Sequence, residues 1–260
     1  MVDTDYSGTW VVLPTFNEAE NLPAIAPQIL ATLPGGTLLV VDDNSPDGTG
    51  KLADEMAAAD EHVRVLHRAG KQGLGRAYTD GFQAAIEGGA KQIIQMDADG
   101  QHNPAYLPDL VAGLQKADLV IGSRYVKGGG VPNWGLFRKF VSRGGSTFAR
   151  IVLGLRPHDL TGGFKAWRRD TLAATPWKLL HSGGYVFQIE MTYLAARRGA
   201  RIVERPIVFA EREVGVSKMS SKIIFEALLV VVTLRWQQFR GRIPGRNSAT
   251  SLGDAQRPSS

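Results

Sequence analysis

Short apolar runs alternate with helix-forming segments along the first half of the chain, and this alternation is what most constrains the fold. The runs cover residues 10–14, 37–41, 63–66 and 93–96. Their lengths are typical of buried strands, and the segments between them carry apolar residues at helical spacing. The first of these helices is predicted to open at Thr15 and to carry Leu22, Ile25 and Ile29. Strands that alternate with helices predict a mostly parallel sheet flanked by crossover helices. We therefore expect an α/β fold, with ligands beyond the carboxyl ends of the strands.

Acidic residues directly follow two of these runs. Asp42 and Asp43 come after the second run, and Asp97 and Asp99 come after the fourth, with Gln101 close behind. Oxygen donors at alternate positions suit Mg²⁺ or Mn²⁺, which often share their coordination with substrate phosphates. A solvated acidic turn is the alternative for a lone Asp-x-Asp motif, because Asp is a common turn residue. The arrival of both acidic segments at one edge of the sheet favours the metal site.

Length and composition narrow the class of protein. The 260 residues include no cysteine, which excludes a disulfide framework or a thiolate metal site and agrees with a cytosolic setting. The first residues lack the pattern of a secretory signal. The longest strongly apolar run, residues 227–234, is well short of the ~20 residues that a spanning helix needs. We expect one catalytic domain over residues 8–243 and a small, polar, disordered tail over residues 244–260.

The distribution of charge indicates an anionic partner. The net charge is +5, yet no acidic residue occurs between Asp118 and Asp159. The cations of that interval are Arg124, Lys127, Arg138, Lys139, Arg143, Arg150 and Arg156. Such a basic block suits a phosphate, a membrane surface or a nucleic acid. Arg124 also ends a strand-like run, so we expect it at the ligand edge of the sheet.

Two later segments have the pattern of amphipathic helices at a membrane interface. Residues 134–155 carry bulky apolar side chains at helical spacing, interleaved with cations, and residues 220–239 form an apolar helix with a narrow polar stripe. Arginines follow the second segment closely. An aromatic stripe is also typical of a core helix, so both interpretations of the first segment remain open. The combination suits helices that lie on an anionic lipid surface.

Five motifs occur in order within residues 8–240. They are Leu-Pro-Thr-Phe-Asn-Glu at 13–18, Val-Asp-Asp-Asn-Ser-Pro-Asp-Gly-Thr at 41–49, Asp-Ala-Asp-Gly-Gln-His at 97–102, Gly-Ser-Arg-Tyr at 122–125, and a loop from Arg212 to Lys218. This ordered set resembles the dolichol-phosphate (polyprenol-phosphate) mannose synthases of glycosyltransferase family 2. The resemblance implies a nucleotide-diphosphosugar transferase fold of the GT-A type. It also implies transfer of mannose, with inversion, from GDP-mannose to a polyprenol monophosphate.

The resemblance implies site residues as well. Donor binding is implied for Pro14, Phe16, Glu18, Val41, Asp43, Asp97, Ala98, Asp99, Arg124, Arg212 and Lys218. The metal ligands it implies, for Mg²⁺ or Mn²⁺, are Asp97, Asp99 and Gln101. Arg124, Arg138 and Ser142 are implied as ligands of the acceptor phosphate, and Asp99, Arg124 and Arg138 as the catalytic residues. The sequence departs from the family at Phe16, where tyrosine is usual, so any hydrogen bond from that hydroxyl is absent.

The acceptor phosphate is already an anion at neutral pH and needs no base to become nucleophilic. We therefore expect that no carboxylate acts as an essential base. Asp159 and Glu190 are the residues on which this hypothesis is tested, and each has a structural alternative, as a turn cap or as a residue that orients a helix.

Partners and location follow from the same resemblance. It implies a peripheral protein on the cytoplasmic side of the cell membrane, attached through its amphipathic segments or through an integral membrane partner. The alternatives are a different donor such as UDP-glucose, a nucleic-acid binding protein with an inert nucleotide fold, and a non-catalytic membrane adaptor. The combined basic and apolar pattern fits a lipid better than a nucleic acid, so we expect no nucleic-acid partner.

Overall fold

The computed structural model of the chain describes residues 5–132, 134–177, 180, 186–209 and 221–240, the last segment without the side chains of residues 221–226. In these residues the strands are β1 (Thr9–Thr15), β2 (Thr37–Asp42), β3 (Val63–His67), β4 (Gln92–Gln95), β5 (Leu119–Ser123), β6 (Lys165–Arg168) and β7 (Ile202–Pro206). The helices are α1 (Leu22–Thr32), α2 (Thr49–Ala59), α3 (Leu74–Glu87), α4 (Leu107–Gly113), α5 (Leu136–Leu153), α6 (Arg169–Ala174), α7 (Phe187–Arg197) and α8 (Ser221–Phe239).

The described strands form one sheet in the order β3-β2-β1-β4-β6-β5-β7. Strand β1 pairs in parallel with β2 and β4, β2 pairs in parallel with β3, and β5 pairs in parallel with β7. Strand β6 is antiparallel to both of its neighbours, β4 and β5. The predicted α/β class with a mostly parallel sheet is therefore confirmed, with β6 as the exception.

Both faces of the sheet are covered, as a central parallel strand requires. Every residue of β1 is buried, and its side chains alternate between the two faces. Val11 and Leu13 pack in a core with α1 and α4, whereas Trp10 and Val12 pack in a second core with α3 and α7. The hydrophobic cores thus hold the carboxyl ends of β1, β2, β4 and β5 in fixed positions.

A third apolar cluster joins α5, α7 and α8. Ala149 and Leu153 of α5 meet Leu194 of α7 and Val231 and Leu234 of α8, all of them buried. The opposite faces of α5 and α8 present large apolar side chains to the surface. We call this exposed set the apolar face; its members are Leu136, Phe137, Phe140, Ile151, Leu228, Leu229, Val232, Trp236 and Phe239. None of the described helices is long and apolar enough to cross a membrane.

The predicted start of the first helix is wrong. The sequence suggested a helix opening at Thr15, but β1 extends through Thr15 and α1 begins at Leu22. Asn17 has a φ of 59°, which is outside the helical region. The backbone N–H groups of Asn17 and Glu18 donate to side chains of the β2–α2 loop, Ser45 and Thr49. These bonds hold the segment after β1 as a loop along the edge of the sheet.

Candidate active site

The loops after β1 and β2 form the first part of the ligand edge. The buried carboxylate of Asp42 accepts hydrogen bonds from the Thr15 hydroxyl at 3.0 Å and from the hydroxyl of Ser45 at 2.6 Å. Asp42 therefore fixes the loop. The neighbouring Asp43 forms an ion pair with Arg68, and the side chains of both residues are only 6% exposed.

Two cations beyond β3 complete this part of the edge. Nε of Arg68 donates to Asp80 at 2.7 Å, and Nζ of Lys71 lies 3.9 Å from the centre of the Phe16 ring. Burial raises the pKa of Asp43 above its ordinary value, and the charge of Arg68 only partly offsets that effect. The predicted donor residues Phe16 and Asp43 are thus brought together with two basic residues that the sequence prediction omitted.

Of the remaining donor-binding predictions, three belong to the framework of this edge. Pro14 and Val41 are register partners on β1 and β2, and Ala98 is buried beside the acidic motif. Glu18 lies in the loop after β1, where its carboxylate accepts a hydrogen bond from the side-chain amide of Asn21 at 2.6 Å. Arg212 and Lys218 lie outside the described residues, and their roles stay predictions.

The acidic motif after β4 is held by buried groups. The hydroxyl of Tyr78 donates to Oδ1 of Asp97 at 2.5 Å, and the N–H of Asp97 donates to Nδ1 of His102 at 3.0 Å. His102 is fully enclosed and stacks on Phe164 with ring centres 4.8 Å apart. Burial lowers the pKa of His102 to about 4, so its ring remains a neutral acceptor. Neither Tyr78 nor the orienting role of His102 was predicted.

The predicted metal ligands suit a hard cation. Asp97 and Asp99 are half-buried at the strand end, Gln101 is buried, and the Gln101 N–H donates to Oδ1 of Asp99 at 3.2 Å. Within the part of the chain that the structure describes, no group of three or more histidine, aspartate or glutamate side chains is placed to hold a metal ion. Mg²⁺ commonly binds through one or two carboxylates and completes its shell with water and substrate phosphates. Two carboxylates and a nearby amide therefore fit Mg²⁺ or Mn²⁺ bound together with a diphosphate.

Behind this motif lies a buried polar cluster. Nζ of Lys165 donates to the backbone carbonyl of Gln188 at 2.9 Å, to Oε1 of Gln188 at 3.2 Å and to the hydroxyl of Thr192 at 3.0 Å. The side-chain amide of Gln95 donates to the same Oε1 at 2.6 Å. Burial lowers the pKa of Lys165 to about 7, and the nearby carboxylates of Asp159 and Asp97 only partly counter that effect.

Arg124 lies at the end of β5 in a buried ion pair. Its Nε and Nη2 donate to the two carboxylate oxygens of Asp159, each at 2.7 Å, and Nη2 also donates to the Thr161 hydroxyl at 2.8 Å. The ring centres of Tyr125, Trp134 and Phe209 lie 5.2, 5.4 and 5.3 Å from its Cζ. Burial would raise the pKa of Asp159, but the charge and hydrogen bonds of Arg124 hold it below its usual range.

Helix α5 brings Arg138 and Ser142 to the same place. Cζ of Arg138 lies 3.8 Å from the centre of the Trp134 ring, so Arg124 and Arg138 both contact this ring. Ser142 accepts a hydrogen bond from the Tyr125 hydroxyl at 2.6 Å. The three residues predicted for the acceptor phosphate are therefore clustered, although their binding role stays a prediction. Glu190 is fully buried on α7, and its role also stays a prediction.

Comparison with known proteins agrees with this arrangement. Undecaprenyl-phosphate mannosyltransferase of Micrococcus luteus is 48% identical over 236 residues, 89% of this chain and 97% of that protein. Polyprenol monophosphomannose synthase of Mycolicibacterium smegmatis is 47% identical over 237 residues, 90% of this chain and 88% of that protein.

Among solved structures, glucosyl-3-phosphoglycerate synthase of Mycobacterium tuberculosis, in complex with Mn²⁺, UDP-glucose and glycerol 3-phosphate, has the same fold. The TM-score is 0.62 at 22% identity, over 86% of this chain and 80% of that one. Residues 10–174 match the sequence family described as glycosyl transferase family 2. With the fold, the family match and relatives near half identity in agreement, the chain belongs to glycosyl transferase family 2.

Proposed function

We propose that this protein transfers mannose from GDP-mannose to a polyprenol monophosphate, giving polyprenol-phosphate-mannose and GDP. The observation that carries the proposal is the position of the Arg124, Arg138 and Ser142 cluster. Arg124 follows β5 at the ligand edge and contacts the Phe209 ring, as does His102 of the acidic motif, whereas Arg138 and Ser142 lie on helix α5, which also bears part of the apolar face. A phosphate-binding cluster that is next to a diphosphate site and includes residues of a helix with an apolar surface suits a lipid phosphate acceptor. The names of the two mannosyltransferases that are nearly half identical to the chain support the same function.

On the donor side, Phe16 and Asp43 are suited to the nucleoside, and Asp97, Asp99 and Gln101 to Mg²⁺ or Mn²⁺ bound with the diphosphate. The cation would act as a Lewis acid that offsets the charge developing on the departing diphosphate. Tyr78 keeps Asp97 in one orientation through its 2.5 Å hydrogen bond. His102 fixes the backbone of the same residue. Asp99 is proposed as a catalytic residue, and Pro14, Glu18, Val41, Ala98, Arg212 and Lys218 as further donor residues. The donor contact implied for Arg124 stays a prediction.

On the acceptor side, Arg124 and Arg138 are proposed to bind and orient the phosphate. A guanidinium stays charged when water is excluded, and its planar donor set matches phosphate oxygens. The phosphate is the nucleophile and reacts as an anion, so the protein has to bring it to the anomeric carbon without removing a proton. No carboxylate is assigned as a base in this mechanism.

The domain that carries this chemistry is proposed to lie on a membrane. The apolar face of α5 and α8 is accompanied by Arg235 and Arg240, which stack on Phe239 and Trp236 at 4.7 and 3.7 Å. Rings and cations together favour binding at an anionic lipid surface. We propose peripheral attachment at the cytoplasmic side, through these helices or with an integral membrane partner, by a single catalytic domain of residues 8–243. The predicted tail of residues 244–260 lies outside the described residues, and its assignment stays a prediction.

A donor screen tests the proposal. The protein is incubated with a short polyprenyl phosphate, Mn²⁺ and either radiolabelled GDP-mannose or radiolabelled UDP-glucose, and the label in the lipid phase is counted. We expect transfer from GDP-mannose and its loss in Asp99→Ala. Transfer from UDP-glucose alone would establish the alternative donor. Failure of both donors with the intact chain would contradict the proposed function.

A further inference from the structure

We propose that Asp159 is a positioning residue for Arg124 and acts through that arginine on the acceptor phosphate. The inference rests on the proposed function for the identity of the acceptor. Oδ2 of Asp159 accepts hydrogen bonds from the backbone N–H and from Nε of Arg124, at 3.0 and 2.7 Å. Oδ1 accepts from Nη2 of Arg124 at 2.7 Å and from the N–H of Gly162 at 3.0 Å. One carboxylate thus fixes both the backbone and the side chain of the arginine.

The turn that carries Asp159 is itself fixed by hydrogen bonds to Glu204. The N–H of Asp159 donates to Oε1 of Glu204 on β7 at 3.0 Å, and the N–H of His158 donates to Oε2 of the same residue at 2.9 Å. Because β7 pairs with β5, the strand that ends at Arg124, Glu204 ties the turn of Asp159 to the sheet that carries its partner. The relative position of the two charged residues is therefore set by the sheet.

This arrangement leaves Asp159 poorly suited to act as a base. Its side chain is completely buried, and its two oxygens accept three hydrogen bonds from Arg124, one from Gly162 and a longer one, at 3.5 Å, from the hydroxyl of Thr161. A catalytic base needs an oxygen within hydrogen-bond reach of the proton that it removes. Asp159 instead has the contacts of a residue that orients a ligand, a role in which a neighbour fixes the group that touches the substrate.

The same contacts indicate which edge of Arg124 faces the acceptor. Asp159 binds the edge formed by Nε and Nη2, and Thr161 accepts a further bond from Nη2. Among the hydrogen bonds of the described residues none is made by Nη1, so this nitrogen is the one available to the phosphate. The hydroxyl of Thr161 lies 3.2 Å from that of Ser146 on α5, which also carries Arg138 and Ser142. Asp159 and, through Thr161, helix α5 therefore constrain the same edge of Arg124.

A double-mutant cycle tests the proposal. In Asp159→Asn we expect kcat/KM for a short polyprenyl phosphate to fall by roughly ten- to hundredfold. The affinity for GDP, measured by calorimetry with Mn²⁺, should stay within about twofold of the wild-type value, because Asp159 acts only on the acceptor side. In the Arg124→Gln background the same change should have little further effect, because a positioning residue acts only through the group that it positions. The pH profile of kcat/KM should keep its shape.

Thr161→Val keeps the inference testable if Asp159→Asn does not fold. It removes one hydrogen bond from Arg124 and a longer one to Asp159, and it leaves the ion pair between them in place. We expect a smaller loss of kcat/KM in the same direction. The matched control is Thr175→Val, at a buried threonine directly after α6 whose hydroxyl donates to the backbone carbonyl of Thr171. Equal losses from Asp159→Asn in both backgrounds, or loss of one limb of the pH profile, would overturn the proposal in favour of a base. If the protein uses another sugar nucleotide, the cycle is run with that donor, so failure of the mannose assignment leaves this result interpretable.

Discussion

The hydroxyl of Tyr78 on α3 lies 2.5 Å from Oδ1 of Asp97, the first carboxylate of the acidic motif. Tyr78 is fully buried and stacks between Phe82 and Phe187, with ring centres 5.6 and 5.5 Å away. The orientation of a proposed metal ligand is thus determined in a hydrophobic core. The packing of α3 against the sheet and the geometry of the acidic motif are consequently linked.

Tyr78→Phe tests that link. Phenylalanine keeps the stacking, so we expect the protein to fold with a loss of about 1 kcal/mol in the free energy of unfolding. The affinity for Mn²⁺ in the presence of GDP should fall by roughly tenfold, because a residue that orients a metal ligand has been removed. Electron paramagnetic resonance of Mn²⁺ measures the affinity. Unchanged Mn²⁺ binding would show that Asp97 does not need Tyr78.

Arg68→Gln should weaken donor binding. The change leaves the buried Asp43 without its positive partner, which raises the pKa of that carboxyl further and costs roughly 3 kcal/mol of stability. Calorimetry should show a weaker affinity for GDP. The loss should be largest at acid pH, since a protonated Asp43 accepts fewer hydrogen bonds from the guanine base of the nucleotide. Arg64→Gln on β3, the strand directly before Arg68, is the matched control, because Arg64 stacks on Trp10. Equal effects of the two variants on GDP affinity would contradict a specific role for Arg68.

Lys165→Met should change how stability depends on pH. The pKa of Lys165 is about 7 in the folded protein, against 10.5 for an ordinary lysine, so between these values the unfolded chain binds one more proton than the folded one. The free energy of unfolding of the wild type should therefore gain up to about 1.4 kcal/mol per pH unit from this residue as the pH rises above 7. That gain should be absent in Lys165→Met and present in Lys91→Met, an exposed control. Denaturant unfolding at about pH 7, 8 and 9 measures the free energy of unfolding of each protein. The same pH dependence of this free energy in all three proteins would refute a lowered pKa of Lys165.

Phe137→Ser combined with Phe140→Ser should detach the protein from lipid. These side chains are 80% and 77% exposed, so their removal should leave the fold and its unfolding transition unchanged. Each ring inserted into lipid contributes about 2 kcal/mol, so co-sedimentation with phosphatidylglycerol vesicles should fall by at least roughly tenfold. Lys51→Ser on α2 serves as the exposed control. Undiminished sedimentation of the double variant would exclude the α5 part of the apolar face as the membrane contact.

The fold could be predicted from the sequence because its strands are short apolar runs with acidic or basic residues at their ends. The antiparallel direction of β6 and the delayed start of α1 could not. The first depends on how β6 pairs with β4 and β5, and the second on bonds from the β1–α1 loop to Ser45 and Thr49. Neither feature can be predicted from the spacing of apolar and polar residues within the segment itself.

For the candidate site too, the sequence predicts the residues within local motifs but not their distant partners. Residues within the motifs, such as Asp97 and Arg124, are found by their place after a strand. Their partners Tyr78 and Asp159 lie 19 and 35 residues away along the chain, and only the packing of the sheet and helices brings them together. Arg68 and Lys71 did have a signal, since they also follow a strand at the ligand edge.

Helix α5 is continuous from Leu136 to Leu153, and its two faces differ, one being exposed and apolar and the other facing the end of β5. On one face stand Phe137 and Phe140, and on the other Ser142, which bonds Tyr125 at the end of β5. One continuous helix would therefore fix the height of the proposed phosphate-binding cluster above any bilayer on which the rings rest. In that geometry the enzyme would select an acceptor by the depth of its headgroup, and lipids that differ only in the number of isoprene units would be equivalent substrates.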